Sequence, residues 1–255
     1  MLDILRARLS QGRRTFPFPA REPTLPDRFR GLPAVDTTRC PAGCRACADA
    51  CSVEALAFES GRGPVFDLGR CLFCTDCTDA CPTGALAFTT DYRLATRTRE
   101  ALVTQGQTLE LARELDAEAL RLFGRSLKLR QVSAAGCNAC EADVNVLGTL
   151  VFDLGRFGIQ FVASPRHADG LLITGPVSEN MRLGLQKTWE AVPTPRIVIA
   201  VGACAIGGGP FAGHPEVHDG AGPFVPVDLY IPGCPPHPYT ILDGLLRLLG
   251  RRSRG

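Results

Sequence analysis

Little net charge, few aromatic residues and no long apolar run mark this chain. Its 28 basic and 26 acidic side chains over 255 residues leave a formal charge of only +2. Such a balance gives no whole-molecule field to hold nucleic acid or an anionic membrane. Aromatic residues make up 7%, with Trp189 the single tryptophan, and fit core or interface roles. The longest apolar stretch, around Ile197 to Ile206, is far short of the ~18 residues needed to span a bilayer. Arg13-Arg14-Thr15-Phe16 superficially resembles a twin-arginine export signal, but Phe16-Pro17-Phe18-Pro19-Ala20-Arg21-Glu22-Pro23 follows it. That segment is proline-broken and charged, not an apolar h-region of ~7–15 residues. The expectation is a chain that is not exported.

Common cofactor and catalytic signatures are missing too. Gly207-Gly208-Gly209 is followed by no Lys-Ser/Thr pair, so it is no phosphate loop. Gly202 to Gly209 lacks the glycine spacing of a dinucleotide fingerprint, which argues against NAD(P)H as a direct substrate. His214 and His218 flank Glu216, yet the Glu does not immediately follow the first His. Pro215 would also break the helix that a metalloprotease motif requires. Both histidines are expected in a loop.

What the chain does have is twelve cysteines, a share below the ~8–10% typical of small secreted scaffolds. Eight of them fall in two tight blocks with two- and three-residue gaps. Disulfide frameworks scatter cysteines along loops, whereas metal centres need this spacing. A reducing, cytoplasmic environment is expected.

Residues 1–35 open with a short amphipathic segment, Leu2, Leu5 and Leu9 on one side, and dissolve into prolines and arginines. They are expected to be a solvated arm that packs on a partner subunit, not a nucleic-acid grip. Residues 36–90 contain a repeat: Ala55-Leu56-Ala57-Phe58 recurs as Ala85-Leu86-Ala87-Phe88, each after a cysteine block. Residues 91–125, with Leu109, Leu111, Ala112, Leu115, Leu120 and Leu122 among charges, predict a helical linker. From 126 to 255, short apolar runs alternate with amphipathic stretches, the pattern of a parallel sheet covered by helices. The candidate strands are Leu127 to Val132, Ile159 to Ala163, Leu171 to Thr174, Arg196 to Val201 and Val227 to Ile231. Val144, Leu147, Val151 and Leu154 make one helical face; a second helix follows the candidate N-cap Ser178, and the last starts near Pro238.

The second block, Cys71-x2-Cys74-x2-Cys77-x3-Cys81-Pro82, has bacterial ferredoxin spacing. Three closely spaced thiolates reach three irons of one cubane, and the fourth is carried to the neighbouring cluster. A structural zinc would need only two pairs. The first block, Cys40-x3-Cys44-x2-Cys47-x3-Cys51, has one extra residue within Pro41-Ala42-Gly43, and Ser52 in place of Pro. The extra residue either loosens that loop and shifts one potential or changes nothing measurable. By the crossed ligation of two-cluster ferredoxins, one [4Fe–4S] cluster takes Cys40, Cys44, Cys47 and Cys81, and the other takes Cys71, Cys74, Cys77 and Cys51.

Four cysteines remain: Cys137, Cys140, Cys204 and Cys234, each just after a candidate strand. The carboxyl ends of parallel strands line one edge of the sheet, where ligands collect. Three loops there can bring four thiolates to a third cluster, with neighbouring glycines giving the backbone room to approach. Four unrelated buried or zinc-bound cysteines are the alternative on spacing alone. Glu141, beside Cys140, either relays protons or caps the helix it begins.

Residues 126–250 resemble the small electron-transfer subunit shared by membrane-bound, energy-converting [NiFe] hydrogenases and respiratory complex I. The matching stretches are Cys137-Asn-Ala-Cys-Glu141, Ile173-Thr-Gly-Pro-Val-Ser-Glu-Asn-Met181, Val201-Gly-Ala-Cys-Ala-Ile206 and Ile231-Pro-Gly-Cys-Pro-Pro236. Residues 1–90, including Leu68-Gly-Arg-Cys-Leu-Phe-Cys74, resemble the two-cluster ferredoxin-like subunit of formate hydrogenlyase-type complexes, as if two subunits had been fused.

The resemblance implies an α+β two-cluster ferredoxin-like module followed by a flavodoxin-like α/β domain with a mostly parallel sheet. It implies three [4Fe–4S] clusters and a separate large catalytic subunit, hydrogenase or complex I 49 kDa-like. Membrane subunits and an electron-donor subunit such as formate dehydrogenase complete the implied complex, held peripherally on the inner face of the cell membrane. In the quinone-reducing relatives the first two ligands are adjacent; here Asn138 and Ala139 separate Cys137 from Cys140, which favours the hydrogenase type. The [NiFe] centre of this family uses cysteine pairs of the large subunit, so no nickel and no complete active site are expected here. Quinone reduction in a complex I-like enzyme and a metal-stapled or redox-sensing binding module are the alternatives.

Overall fold

A computed structural model describes residues 2–41, 43–59, 63–105 and 108–252. The first helix, α1 (Leu2–Gln11), buries none of its residues. The chain then runs to β1 (Pro33–Val35), and two similar units follow. Each has a one-turn helix, α2 (Ala46–Asp49) or α3 (Asp76–Asp79), that buries one cysteine, Cys47 or Cys77. The tetrapeptide repeat supplies β2 (Leu56–Glu59) and β4 (Leu86–Phe88). Their partners differ: β2 pairs antiparallel with β3 (Gly63–Asp67), and β4 pairs antiparallel with β1. A short β5 (Val103–Thr104) extends the β2–β3 sheet.

The expected helical linker is mostly irregular chain. Among its described residues, only α4 (Ala117–Phe123) and a 3-10 turn at Glu100–Leu102 are helical. Tertiary hydrogen bonds take the backbone groups that a helix would have used: Ala112 donates to the Ala95 carbonyl and Leu115 to that of Leu248. Ala112 and Leu115 are thereby buried, and packing overrides the local helical preference.

The α/β domain holds five parallel strands: β6 (Leu127–Ser133), β7 (Ile159–Phe161), β8 (Gly170–Thr174), β9 (Ile197–Val201) and β10 (Leu229–Ile231). Their order across the sheet is β10-β9-β8-β6-β7. β8 and β9 are buried at every position, as central strands covered on both faces must be. Leu127, Leu129, Leu172 and Ile199 pack with Val144 and Leu147 around α5 (Ala139–Val146) and with Ile241, Leu242 and Leu245 of α8 (Pro238–Leu248). Val132, Leu171, Ile173 and Val198 pack on the opposite face with Leu185 of α6 (Glu179–Ala191). The short α7 (Ala203–Gly207) directly follows β9. α5 ends sooner than the Val144-to-Leu154 face predicted; a 3-10 turn at Leu154–Phe157 carries the last of those residues. Ser178 does occupy the N-cap position of α6, but its side chain makes no capping bond.

The two modules share one core. Phe66, Leu68, Phe73, Leu94 and Leu102 pack with Ala200, Ala205 and Ile206. Thr96 and Tyr230 exchange backbone hydrogen bonds of 3.0 and 2.9 Å, so the connecting segment covers the β10 edge. Arg99 grips Asp67 through two bonds of 2.7 and 2.6 Å.

From Phe16 onward the arm is not wholly solvated, contrary to expectation: its aromatic residues pack on the rest of the chain. Phe18 is buried, and Phe16 and Phe18 meet the Tyr239 ring at 5.7 and 5.4 Å. Arg156 donates to the carbonyls of Phe16 and Phe18. Arg252 links the fully buried Asp243 of α8 to Glu22 of the arm and to the Tyr92 hydroxyl. The arm's polar composition concealed these contacts, because its aromatic residues find partners far away in sequence.

Candidate iron–sulfur sites

In the first module the thiols of the two blocks lie close enough to act on one another's charge. Burial first, and then the nearby thiolates of Cys77, Cys51 and Cys74, push the Cys71 thiol up to about 12. Cys77 rises to about 11, through burial and then the charges of Cys74, Cys51 and Cys47. Burial raises Cys74 as well, with Asp76 and Cys51 adding to it. Burial raises Cys47, and the charges of Cys81 and Cys40 add to it. The structure thus brings Cys51 to the second block and Cys81 to the first. Cys44 sits on the loop between Cys40 and Cys47, its N–H donating to the Pro41 carbonyl. Ala42, in the expected extra residue's loop, lies outside the described residues.

Backbone donors are already aimed at sulfur. The Ala55 N–H donates to Cys51 Sγ at 3.2 Å and the Phe73 N–H to Cys71 Sγ at 3.3 Å. At Cys81, burial is outweighed by N–H groups of Leu86, Thr83 and Ala85 and by the Thr83 hydroxyl, which lower its pKa. Such bonds favour thiolate and tune a bound cluster.

In the second module three strand ends converge. Cys137 and Cys140 follow β6, Cys204 lies in α7 just after β9, and Cys234 follows β10. Burial raises Cys140 strongly, and the charges of Cys204, Glu141, Cys234 and Cys137 raise it further. Cys204 goes up to about 11 by burial and the charges of Cys234 and Cys137. Cys137 and Cys234 stay exposed while Cys204 is buried, so the group opens to one side. Thiols that oppose one another's ionisation this way call for a cationic centre, which deprotonates the thiols it coordinates.

Among the described residues, no three His, Cys, Asp or Glu side chains close to the spacing of a single metal ion. Thiols in sets of four, near enough to bear on one another's charge, suit a multi-iron cluster, where each sulfur takes its own iron. A lone zinc would draw four sulfurs to ~2.3 Å. The donor sets therefore fit iron–sulfur clusters.

Two glycines shape the space. A Cβ at Gly202, where φ is 90°, would stand 2.5 Å from Cys140 Sγ; one at Gly209, φ 58°, would stand 2.7 Å from Cys204 Sγ. Glu141 is buried, and its Oε1 accepts from the Ser133 and Thr174 hydroxyls at 2.5 and 2.6 Å. Burial opposes its charge, but these two donors prevail and its pKa falls. Glu141 lies in the first turn of α5, as the helix-cap reading expected, and its carboxylate also ties α5 to the ends of β6 and β8. Sequence reasoning missed Ser133 and Thr174, which no local motif marks.

The modules meet beside their cysteines. Cys74 is among the groups that raise Cys234, and Phe73 and Cys234 line one cleft with Arg30 and His237, whose volume is about 260 Å³. Arg30 donates to the Phe73 carbonyl at 2.9 Å. His218 pairs with Glu179 at 2.5 Å and His214 accepts from the Glu216 N–H; both histidines lie in a loop outside these sites.

Comparison with known proteins places both modules. Residues 137–248 match the family "NADH ubiquinone oxidoreductase, 20 Kd subunit", and residues 39–85 match the "4Fe-4S dicluster domain". The chain is 43% identical to formate hydrogenlyase subunit 7 of Escherichia coli over 53% of each chain, and so spans about half of that relative's length. It is 38% identical to a probable membrane-bound hydrogenase subunit of Pyrococcus furiosus, over 54% of this chain and 83% of that one. It is also 38% identical to an NADH-quinone oxidoreductase subunit of Heliobacterium modesticaldum, over 57% of this chain and 86% of the relative. With most of the last two relatives aligned and the cysteine loops inside the matched region, the chain belongs to the family of the 20 kDa subunit of NADH ubiquinone oxidoreductase, preceded by a 4Fe-4S dicluster domain.

Proposed function

We propose that this chain is the electron-transfer subunit of a membrane-associated, hydrogenase-type complex, passing electrons between an external donor and a separate catalytic large subunit. The observation that carries this is the shared core in which Phe73, next to Cys74, packs with Ala205 and Ile206, next to Cys204, with Cys234 lining the same cleft as Phe73; it joins two cysteine sets that would otherwise be separate sites. Cys40, Cys44, Cys47 and Cys81 would hold one [4Fe–4S] cluster, Cys71, Cys74, Cys77 and Cys51 a second, and Cys137, Cys140, Cys204 and Cys234 a third. Such clusters supply one-electron redox change when bound. The chain's own groups hold them in place, donate N–H bonds to sulfur and exclude water. The strand order supports reading the second module as flavodoxin-like, with its cysteine loops at the carboxyl edge. Its exposed side, at Cys137 and Cys234, is where a large subunit would sit, with a donor such as a formate dehydrogenase subunit at the ferredoxin end. The separated pair Cys137 and Cys140 favours hydrogenase over quinone reductase.

The test uses the intact, co-purified complex. Cys140→Ser should abolish or sharply reduce hydrogen turnover while the two ferredoxin clusters stay reducible by an external donor, with retention of the large subunit checked by mass. Normal turnover in an assembled variant lacking its third cluster would refute the route. A native complex with no nickel that reduces quinone would keep the route and replace the hydrogenase assignment.

A further inference from the structure

Helix α1 stands apart from everything the cysteines explain. None of its residues is buried, and Leu2, Ile4, Leu5 and Leu9 are 75, 72, 58 and 84% exposed. Steps of three and four put Leu2, Leu5 and Leu9 on one helical face. An isolated helix of ten residues is marginal in water, so this one gains by finding a surface for that face.

Its root is fixed and continues the apolar character. The Phe16 N–H donates to the Val151 carbonyl at 2.9 Å, and Val151 and Leu150 are themselves 46 and 65% exposed. Between root and helix lie Arg13 and Arg14, and the helix adds Arg6 and Arg8 against the single acid Asp3. Four arginines to one acid concentrates in this segment a positive charge that the molecule as a whole, at +2, does not carry. Arginine beside leucine suits a bilayer interface, where the stem lies on apolar surface and the guanidinium reaches phosphate. No described helix is long and apolar enough to cross a membrane, so this would be a contact in the plane of the surface.

We propose that α1, with Arg13 and Arg14, is a membrane-surface contact that lays Leu2, Leu5 and Leu9 into an anionic lipid interface. Charge complementarity selects this occupant: an excess of arginine matches a phosphate-bearing surface, which imposes no fixed shape on a helix that has no fixed seat. One short helix binds weakly and reversibly, so it acts as a second attachment that gains by avidity when the chain is held in a complex. This inference does not depend on the electron-transfer reading.

The test is flotation of the full, cluster-loaded chain with vesicles of equal parts phosphatidylcholine and phosphatidylglycerol, against pure phosphatidylcholine. The unmodified chain should float with the anionic vesicles only and be released by salt, since screening shortens the reach of surface charge. R13Q and R14Q should each lower the vesicle partition coefficient roughly fivefold, and L5E should abolish flotation. Iron content and visible absorption should match the unmodified chain in every variant, because α1 buries nothing. Failure of the unmodified chain to float with anionic vesicles overturns the proposal, as does flotation unchanged by L5E and R13Q together. If L5E instead strips a subunit from the detergent-solubilised complex while the unmodified chain ignores lipid, the seat of α1 is a protein and the lipid assignment falls.

Discussion

A methyl group at position 202 would stand 2.5 Å from Cys140 Sγ, on a backbone at φ 90°. That contact cannot be relieved by a rotamer change at position 202, because an alanine methyl has none, and the left-handed backbone adds strain. Gly202→Ala should therefore cost the third cluster alone: iron and sulfide assays should fall by about a third, given four thiolates per cubane, while both ferredoxin EPR signals persist. Full occupancy in this variant would show that the Cys140 loop has room to move. At this scale the cysteines were legible because their spacing is set by covalent reach. Glu141 was legible as an acid in the first turn of its helix. What holds it, Ser133 and Thr174, comes from two different strand ends and becomes adjacent only once β6 and β8 pair.

Among the elements, the five parallel strands were readable because full burial on both faces leaves continuous apolar runs such as Ile197–Val201. The linker and the arm were not, because Ala112, Leu115, Phe16 and Phe18 are placed by partners far along the chain. The thirty-residue repeat was legible as two units, yet its strands β2 and β4 pair in different sheets. What remains common to both copies is the one-turn helix with a buried cysteine; the exchange of the fourth thiol is the proposed ligation. Cys51→Ser should consequently perturb the same EPR signal as Cys74→Ser. Perturbation of the signal altered by Cys44→Ser would mean that each block ligates its own cluster and that the grouping of Cys51 with Cys71, Cys74 and Cys77 does not survive metal loading.

Across the whole molecule, the shared core decides how the sites relate. Ala205 and Ile206, which follow Cys204 in α7, pack with Leu68 and Phe73 at the start of the second block. A junction built this way behaves as interior and does not slide. The sequence indicated two domains joined by a linker, but not which ferredoxin site faces the α/β domain; that depends on the docking of Thr96 against Tyr230. In the folded chain Cys234 neighbours Cys74, and Cys47 neighbours Cys77 on the other side. Cys47 and Cys77 lie in one buried cluster, and Cys234 shares a cleft with Phe73, next to Cys74, so on the proposed ligation the order of sites is linear, with the Cys71 set in the middle. Pulsed EPR of the fully reduced, iron-replete chain should detect magnetic coupling between the middle cluster and each outer one. Losing the middle cluster through Cys77→Ser should leave the third cluster's signal uncoupled. Losing the first through Cys47→Ser should leave the coupling between the second and third unchanged. Coupling of the third cluster that persists in Cys77→Ser but disappears in Cys47→Ser would reverse the order and place the Cys40 set against the α/β domain.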